Sequence, residues 1–283
     1  MKIEKIGIIG AGIMGSGIAQ IAVQRAKFNV LLYDVNQAML EKAIAGIAKR
    51  LGRLVEKGEL LATEKDIAIS RIVTTHNISD LSDVDIVIEA ASEDLDVKKS
   101  IFERLDAECK GETVFASNTS SISITKIASF TRRPELVVGL HFFNPAPVME
   151  LVELIEGLRS SIPALKIAEE TAKAMGKTVI AVKDAPGFVV NRVLLPMINE
   201  AVFLLAEGIA DAQSIDTAMR LGANHPMGPL SLADLIGLDT CLHIMETLHA
   251  DLGDDKYRPC PLLRSYVQAG LLGRKSGEGF FKY

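Results

Sequence analysis

The sequence predicts an α/β protein in two domains: a mostly parallel sheet domain over residues 1–184, followed by an all-α C-terminal domain over residues 185–283. Three observations carry that prediction. Short, continuously apolar runs alternate with polar segments of helical period through the first two thirds of the chain, and runs without polar alternation suit strands covered on both faces. Beyond the DAPG stretch at 184–187 no further strand pattern appears, and long helical segments take over. With 283 residues, 48% apolar and 24% charged, the chain can bury two cores and has the composition of an ordinary globular protein.

The first expected strand is KIGIIG at 5–10, which ends in glycines and leads into a helix over 13–25. NVLLYD at 29–34 is the second, and VDIVIEA at 84–90, TVFA at 113–116, LVVGLHF at 136–142 and TVIAV at 178–182 repeat the pattern. In the first helical segment after the boundary, Arg192, Asn199 and Glu200 form a narrow polar stripe on an apolar circumference. A helix that is apolar on most sides needs cover on most sides, which points to a homodimer. The same segment, 187–206, carries Asn191, Arg192, Pro196, Asn199 and Glu200, too many polar groups for a membrane span. A net charge of −5 argues against nucleic acid as a partner, because phosphate binding needs a basic footprint. Cys109, Cys241 and Cys260 are odd in number and widely spaced, and the N-terminus has no secretory pattern. Both features read as a reduced, cytoplasmic protein.

Gly10, Gly12 and Gly15 complete a GxGxxG turn between the first strand and the first helix. Each glycine has its own task there: a tight turn, close approach of backbone to a pyrophosphate, and close packing of helix on strand. The helix N-terminus offers free N–H groups to phosphate. Asp34 ends the next strand, where a carboxylate can hold ribose hydroxyls. The first domain therefore reads as a Rossmann-type dinucleotide-binding domain. Asp34 repels a 2′-phosphate, so NAD(H) is favoured over NADP(H).

Oxidation of an alcohol by such a cofactor needs a base for the hydroxyl proton, and histidine is the usual group because its pKa lies near working pH. His141 ends an expected strand, and ligands of open α/β sheets bind beyond the carboxyl ends of strands. His76, His225, His243 and His249 have nothing around them to single them out.

GAGIMGSGIAQ at 10–20, ASNTSS at 116–121, GLHFFNP at 139–145, DAPGFVVNR at 184–192 and GEGF at 277–280 occur in that order. Together they resemble the L-3-hydroxyacyl-CoA dehydrogenase family over essentially the whole chain, most closely its short bacterial 3-hydroxybutyryl-CoA branch. The resemblance implies that His141 is the catalytic base and Glu153 its carboxylate partner, with Ser120 and Asn191 as polar groups of the site toward the substrate. It also implies that Glu93 and Lys98 lie near the cofactor, that Asn144 contacts substrate or shapes its turn, and that the substrate is a CoA thioester. Glu150 is the rival to Glu153, and the family pattern disfavours it. The other reading of Ser120 is a helix cap, and of Asn191 a buried polar residue satisfied by backbone.

Lys42, Lys49, Arg53 and Lys57 recur at helical spacing after Asp34, a local basic stripe on an acidic chain. The family resemblance places the CoA nucleotide there, with Lys49 and Arg53 as its phosphate partners. Two other functions compete with the leading one: a gulonate-type sugar-acid dehydrogenase with similar motifs, and a redox sensor that binds NAD only as a ligand. The second needs a DNA- or partner-binding module, and no basic recognition helix is evident.

Overall fold

The computed structural model describes residues 3–283, and its chain divides into two compact units between Ala185 and Pro186. The first unit runs β1 (Lys5–Ile9), α1 (Ile13–Gln24), β2 (Asn29–Tyr33), α2 (Gln37–Glu56), α3 (Ala62–Ser70), β3 (Ile72–Thr75), β4 (Ile86–Glu89) and α4 (Leu95–Glu108). It continues with β5 (Val114–Ser117), α5 (Ile124–Ala128), β6 (Val137–Phe142), β7 (Leu151–Glu156), α6 (Ile162–Ala174) and β8 (Thr178–Lys183). The second unit comprises α7 (Val190–Ala206), α8 (Ala212–Gly222), α9 (Pro229–Ile236), α10 (Leu238–Leu252) and α11 (Pro261–Gln268).

One eight-stranded sheet has the order β3-β2-β1-β4-β5-β6-β7-β8. From β3 to β6 every neighbouring pair is parallel; β7 then runs antiparallel to β6, and β8 follows β7 in parallel. The order doubles back at β1, flanked by β2 and β4, and such a reversal opens a crevice beyond the carboxyl ends of the strands.

Two strands fall outside the runs that the sequence pattern selects. β3 reads IVTT and sits at the sheet edge with its middle residues exposed, so it needs no continuous apolar run. β7 reads LVELIE, and its glutamates break the apolar signature although its centre is buried.

The four central strands are buried almost throughout. Ile18, Ile21 and Ala22 of α1 pack on them, as do Leu40, Ala43, Ile47 and Leu51 of α2, at the three- and four-residue spacing that puts apolar side chains on one helix face. At the far end of α4, buried Asp106 accepts hydrogen bonds from Arg132 Nε at 2.8 Å and Arg133 Nε at 2.9 Å, which pins the loop that enters β6.

In the second unit Leu195, Ile198 and Val202 of α7 meet Leu230 of α9 and Met245 and Leu248 of α10. Asn199, one of the polar stripe on α7, does not face solvent. It is buried, its Nδ2 donates to the Arg258 carbonyl at 3.0 Å and its Oδ1 accepts from the Cys260 N–H at 2.8 Å, so its polarity serves to tether a loop to the helix. Asp234 does the same for the C-terminal tail, accepting the Phe280 and Phe281 N–H groups, each at 2.9 Å. Among the described residues no helix is long and apolar enough to cross a membrane.

The β1-to-α1 turn is the tightest point of the first unit. Gly10 has φ +93° and a Cβ there would lie 2.6 Å from the Ala90 carbonyl oxygen, while a Cβ on Gly15 would lie 1.8 Å from the Gly10 carbonyl oxygen. Helix and strand therefore approach at backbone contact distance. Gly15→Ala should destabilise the first unit by about 3 kcal/mol, read as a lower urea midpoint with an unchanged slope.

Candidate active site

Beyond the carboxyl ends of β1, β2 and β4 lies a cavity of about 790 Å³, lined by Gly10, Gly12, Asp34, Ala91, Ser92 and Arg104 among others. A Cβ on Gly12 would meet nothing within 4 Å, so the backbone there faces open space that a phosphate can enter. Gly12 also precedes α1 without any side-chain cap on the helix, which leaves first-turn N–H groups for an anion. Asp34 Oδ2 accepts the Ala11 N–H at 2.7 Å and Oδ1 accepts the Asn36 N–H at 2.9 Å. Its carboxylate thus ties the glycine turn to the end of β2 and stands at the cavity wall, where ribose hydroxyls would meet it. Gly15 packs behind this turn, away from the cavity. These residues fit a dinucleotide.

The second cluster forms farther along the same edge of the sheet. The antiparallel return of β7 puts Glu153 directly opposite His141, and residues opposite one another across a pair project from the same face. Glu153 is 0% exposed and His141 4%. Their Nδ1 to Oε2 distance is 2.7 Å. A carboxylate only accepts, so Nδ1 carries a proton, and in the neutral ring Nε2 then presents a lone pair. Nε2 lies 3.1 Å from Ser120 Oγ, whose hydroxyl donates to it. The Phe143 ring packs on the imidazole with centroids 4.6 Å apart. Glu150 is exposed, three residues before the buried carboxylate.

Ser120 lies three residues past β5, and a third carboxylate fixes its backbone. Glu93 Oε1 accepts from Ser120 N at 2.8 Å, Ser121 N at 3.0 Å and Thr119 Oγ1 at 2.5 Å. Lys98 Nζ lies 3.4 Å from Glu93 Oε2. Burial pushes the Glu93 carboxyl up, but the Lys98 ammonium and these hydrogen bonds outweigh it and hold the group below its ordinary value. Asn118 Oδ1 accepts the Phe142 N–H at 2.9 Å, joining the same loop to β6.

The structure therefore brings Ser120, His141, Glu153, Glu93 and Lys98 into one connected network, and sets Gly10, Gly12 and Asp34 around the cavity. Asn144 is exposed on the loop between β6 and β7, where its bond to Pro145 is cis, and stands outside that network. Lys49 and Arg53 are exposed on α2. Arg50, between them, turns inward and donates from Nε to Gln20 Oε1 and from a terminal nitrogen to the Ser16 carbonyl. Asn191 falls in the first turn of α7, in the second unit. Sequence reasoning passed over Glu89, which is 0% exposed and paired with Lys98. The signal available was a lone glutamate closing an apolar strand, nine residues before a lysine.

The depressed Glu93 carboxyl sets the sign of a pH effect. Its unfolded-state value is near 4.5 and its folded value lies lower, so its contribution to stability is complete above 4.5 and is lost as pH falls through the folded value. Urea titrations of Glu93→Gln and the parent protein should give their largest stability gap at neutral pH. The gap should narrow on acidification below that range.

Residues 5–185 match the NAD binding domain of 3-hydroxyacyl-CoA dehydrogenase, and residues 187–283 match the C-terminal domain of the same family. The chain is 53% identical over 283 residues to a probable 3-hydroxybutyryl-CoA dehydrogenase of Bacillus subtilis, covering 100% of this chain and 98% of the relative. It is 52% identical over 281 residues to the 3-hydroxybutyryl-CoA dehydrogenase of Bradyrhizobium diazoefficiens, covering 99% and 96%. The crystal structure of (S)-3-hydroxybutyryl-CoA dehydrogenase from Ralstonia eutropha superimposes with a TM-score of 0.97 at 49% identity, covering 100% of this chain and 99% of that one. With both family domains matched in sequence and the whole chain matched in three dimensions, this protein belongs to the 3-hydroxyacyl-CoA dehydrogenase family.

Proposed function

We propose that the protein is an NAD-dependent dehydrogenase that interconverts (S)-3-hydroxybutyryl-CoA and acetoacetyl-CoA, with His141 as its general acid and base. The observation that carries this reading is the imidazole held between a buried carboxylate and a serine hydroxyl at the ligand edge of the sheet. Bound NAD supplies the acceptor, and NADH the donor, of the hydride. The remaining work falls to this chain. His141 Nε2 takes the hydroxyl proton of the substrate in oxidation and returns it in reduction. Glu153 stabilises the imidazolium formed and keeps the ring from turning. Ser120 Oγ, already aimed at Nε2, holds the substrate oxygen on the line of proton transfer. Phe142 and Phe143 keep water from the imidazole. Glu93 and Lys98 flank the cofactor on this reading, while Asn144 and Asn191 enter the proposal on the family resemblance alone.

Lys49 and Arg53 are assigned to the CoA phosphates, supported by their exposure on one face of α2. Val193 on α7 is 71% exposed, which supports burial of that face in a homodimer, testable by sedimentation velocity. Three free, buried cysteines support a cytoplasmic location, and the net charge of −5 supports a protein without a nucleic-acid partner.

Loss of NADH absorbance with acetoacetyl-CoA tests the central assignment. The parent protein should turn over, and His141→Ala should lose about 10²- to 10⁴-fold in kcat, the usual worth of a positioned acid and base. Glu153→Gln should lose turnover while keeping the fold, and Glu150→Gln should be silent. Rapid turnover of a sugar acid with none of any CoA thioester would contradict the proposal. Lys49→Ala combined with Arg53→Ala should raise KM for acetoacetyl-CoA about tenfold and leave KM for NADH unchanged; equal KM values would remove both residues from the CoA site.

A further inference from the structure

Glu89 closes β4 and points into the interior, where its carboxylate is completely enclosed. Lys98 Nζ donates to both of its oxygens, at 2.8 and 2.9 Å. Ser117 Oγ, on the strand position paired with Glu89, donates to Oε2 at 2.6 Å, and the Ala91 N–H donates to Oε1 at 2.8 Å. Four donated bonds satisfy the carboxylate fully. A charge pair this deep is destabilising unless its geometry is well satisfied, and an apolar pair of similar volume stabilises a core as well or better. The pair is therefore not explained by stability.

Its position offers another explanation. Lys98 is 1% exposed and is anchored primarily by Glu89, yet its ammonium also reaches Glu93 at 3.4 Å. Glu93 in turn gathers the N–H groups of Ser120 and Ser121 on one oxygen. Ser120 Oγ meets His141 Nε2 at 3.1 Å, and His141 Nδ1 meets Glu153. Each contact in this series joins groups from a different strand end, loop or helix. The only rigid, fully buried anchor at its near end is Glu89.

We infer that Glu89 is a positioning residue for the reaction: through Lys98 and then Glu93 it fixes the backbone of Ser120 where the serine hydroxyl meets the imidazole. It touches neither substrate nor reacting atoms. The inference rests on the proposed roles of Ser120 and His141.

A double-mutant cycle on Glu89 and Ser120, which do not touch, tests it in the full-length protein with NADH and acetoacetyl-CoA. Glu89→Gln should lower kcat about tenfold to hundredfold, as small misplacements remote from the chemistry do, with KM for acetoacetyl-CoA changed by less than about twofold. Once Ser120→Ala has removed the hydroxyl, adding Glu89→Gln at saturating NADH should slow turnover no further, because with the cofactor site filled the device acts through that serine. Multiplying losses would overturn the inference and make Glu89 a purely structural residue, with the assignment of Ser120 intact. Undiminished kcat in Ser120→Ala would instead overturn the assignment of Ser120, and the inference with it. If Glu89→Gln shows no cooperative melting, Glu89→Asp replaces it in the same cycle. Non-additivity with Ser120→Ala is again expected, and multiplying losses again overturn the inference.

Discussion

The ligand edge of the sheet is organised around a carboxylate buried beside an imidazole. Glu153 has no exposure to water, so its charge must be met inside the protein, and the Nδ1–H of His141, 2.7 Å away, is one group that meets it. That need orders the ring, selects its tautomer and leaves Nε2 facing Ser120. It also explains the reversal of chain direction at β7. A parallel strand would need a long crossover before pairing with β6, whereas the antiparallel return faces His141 with a residue twelve positions later.

The remainder of the first unit supplies two rigid walls for that pair. One is the glycine turn, in which backbone approaches backbone so closely at Gly10 and Gly15 that no side chain fits, leaving Gly12 open to the cavity. The other is the chain of carboxylates behind Ser120. Both grow from the carboxyl ends of neighbouring parallel strands, the turn from β1 and the carboxylates from β4, with Ser120 following β5. The sheet brings the glycine turn and the His141–Glu153 pair to a single edge although they lie far apart in sequence.

Much of this was legible in the order of residues. Six of the strands appear as apolar runs because strands covered on both faces tolerate few polar residues, and the glycine turn announces itself because each glycine answers a separate steric demand. Where polarity and burial part company, the reading failed. β7 hides behind two glutamates, one of which is buried against His141, and β3 is an edge strand with no need of apolar cover. Asn199 reads in sequence as one member of a narrow polar stripe, and the structure shows that it tethers a loop. Glu89 lay inside a recognised strand and drew no notice, since its partner becomes visible only when β4 and α4 pack together. Periodicity reports which side of an element faces the core. It cannot report which polar residues are placed there by long-range pairing.

The paired arrangement of His141 and Glu153 is most directly tested by nitrogen-15 NMR of the His141 ring in the intact protein near neutral pH. The neutral ring should carry its proton on Nδ1, with Nε2 unprotonated, and this preference should be lost in Glu153→Gln. A ring protonated on Nε2 in the parent protein would place the proton away from the carboxylate, and would contradict the assignment of His141 as the base.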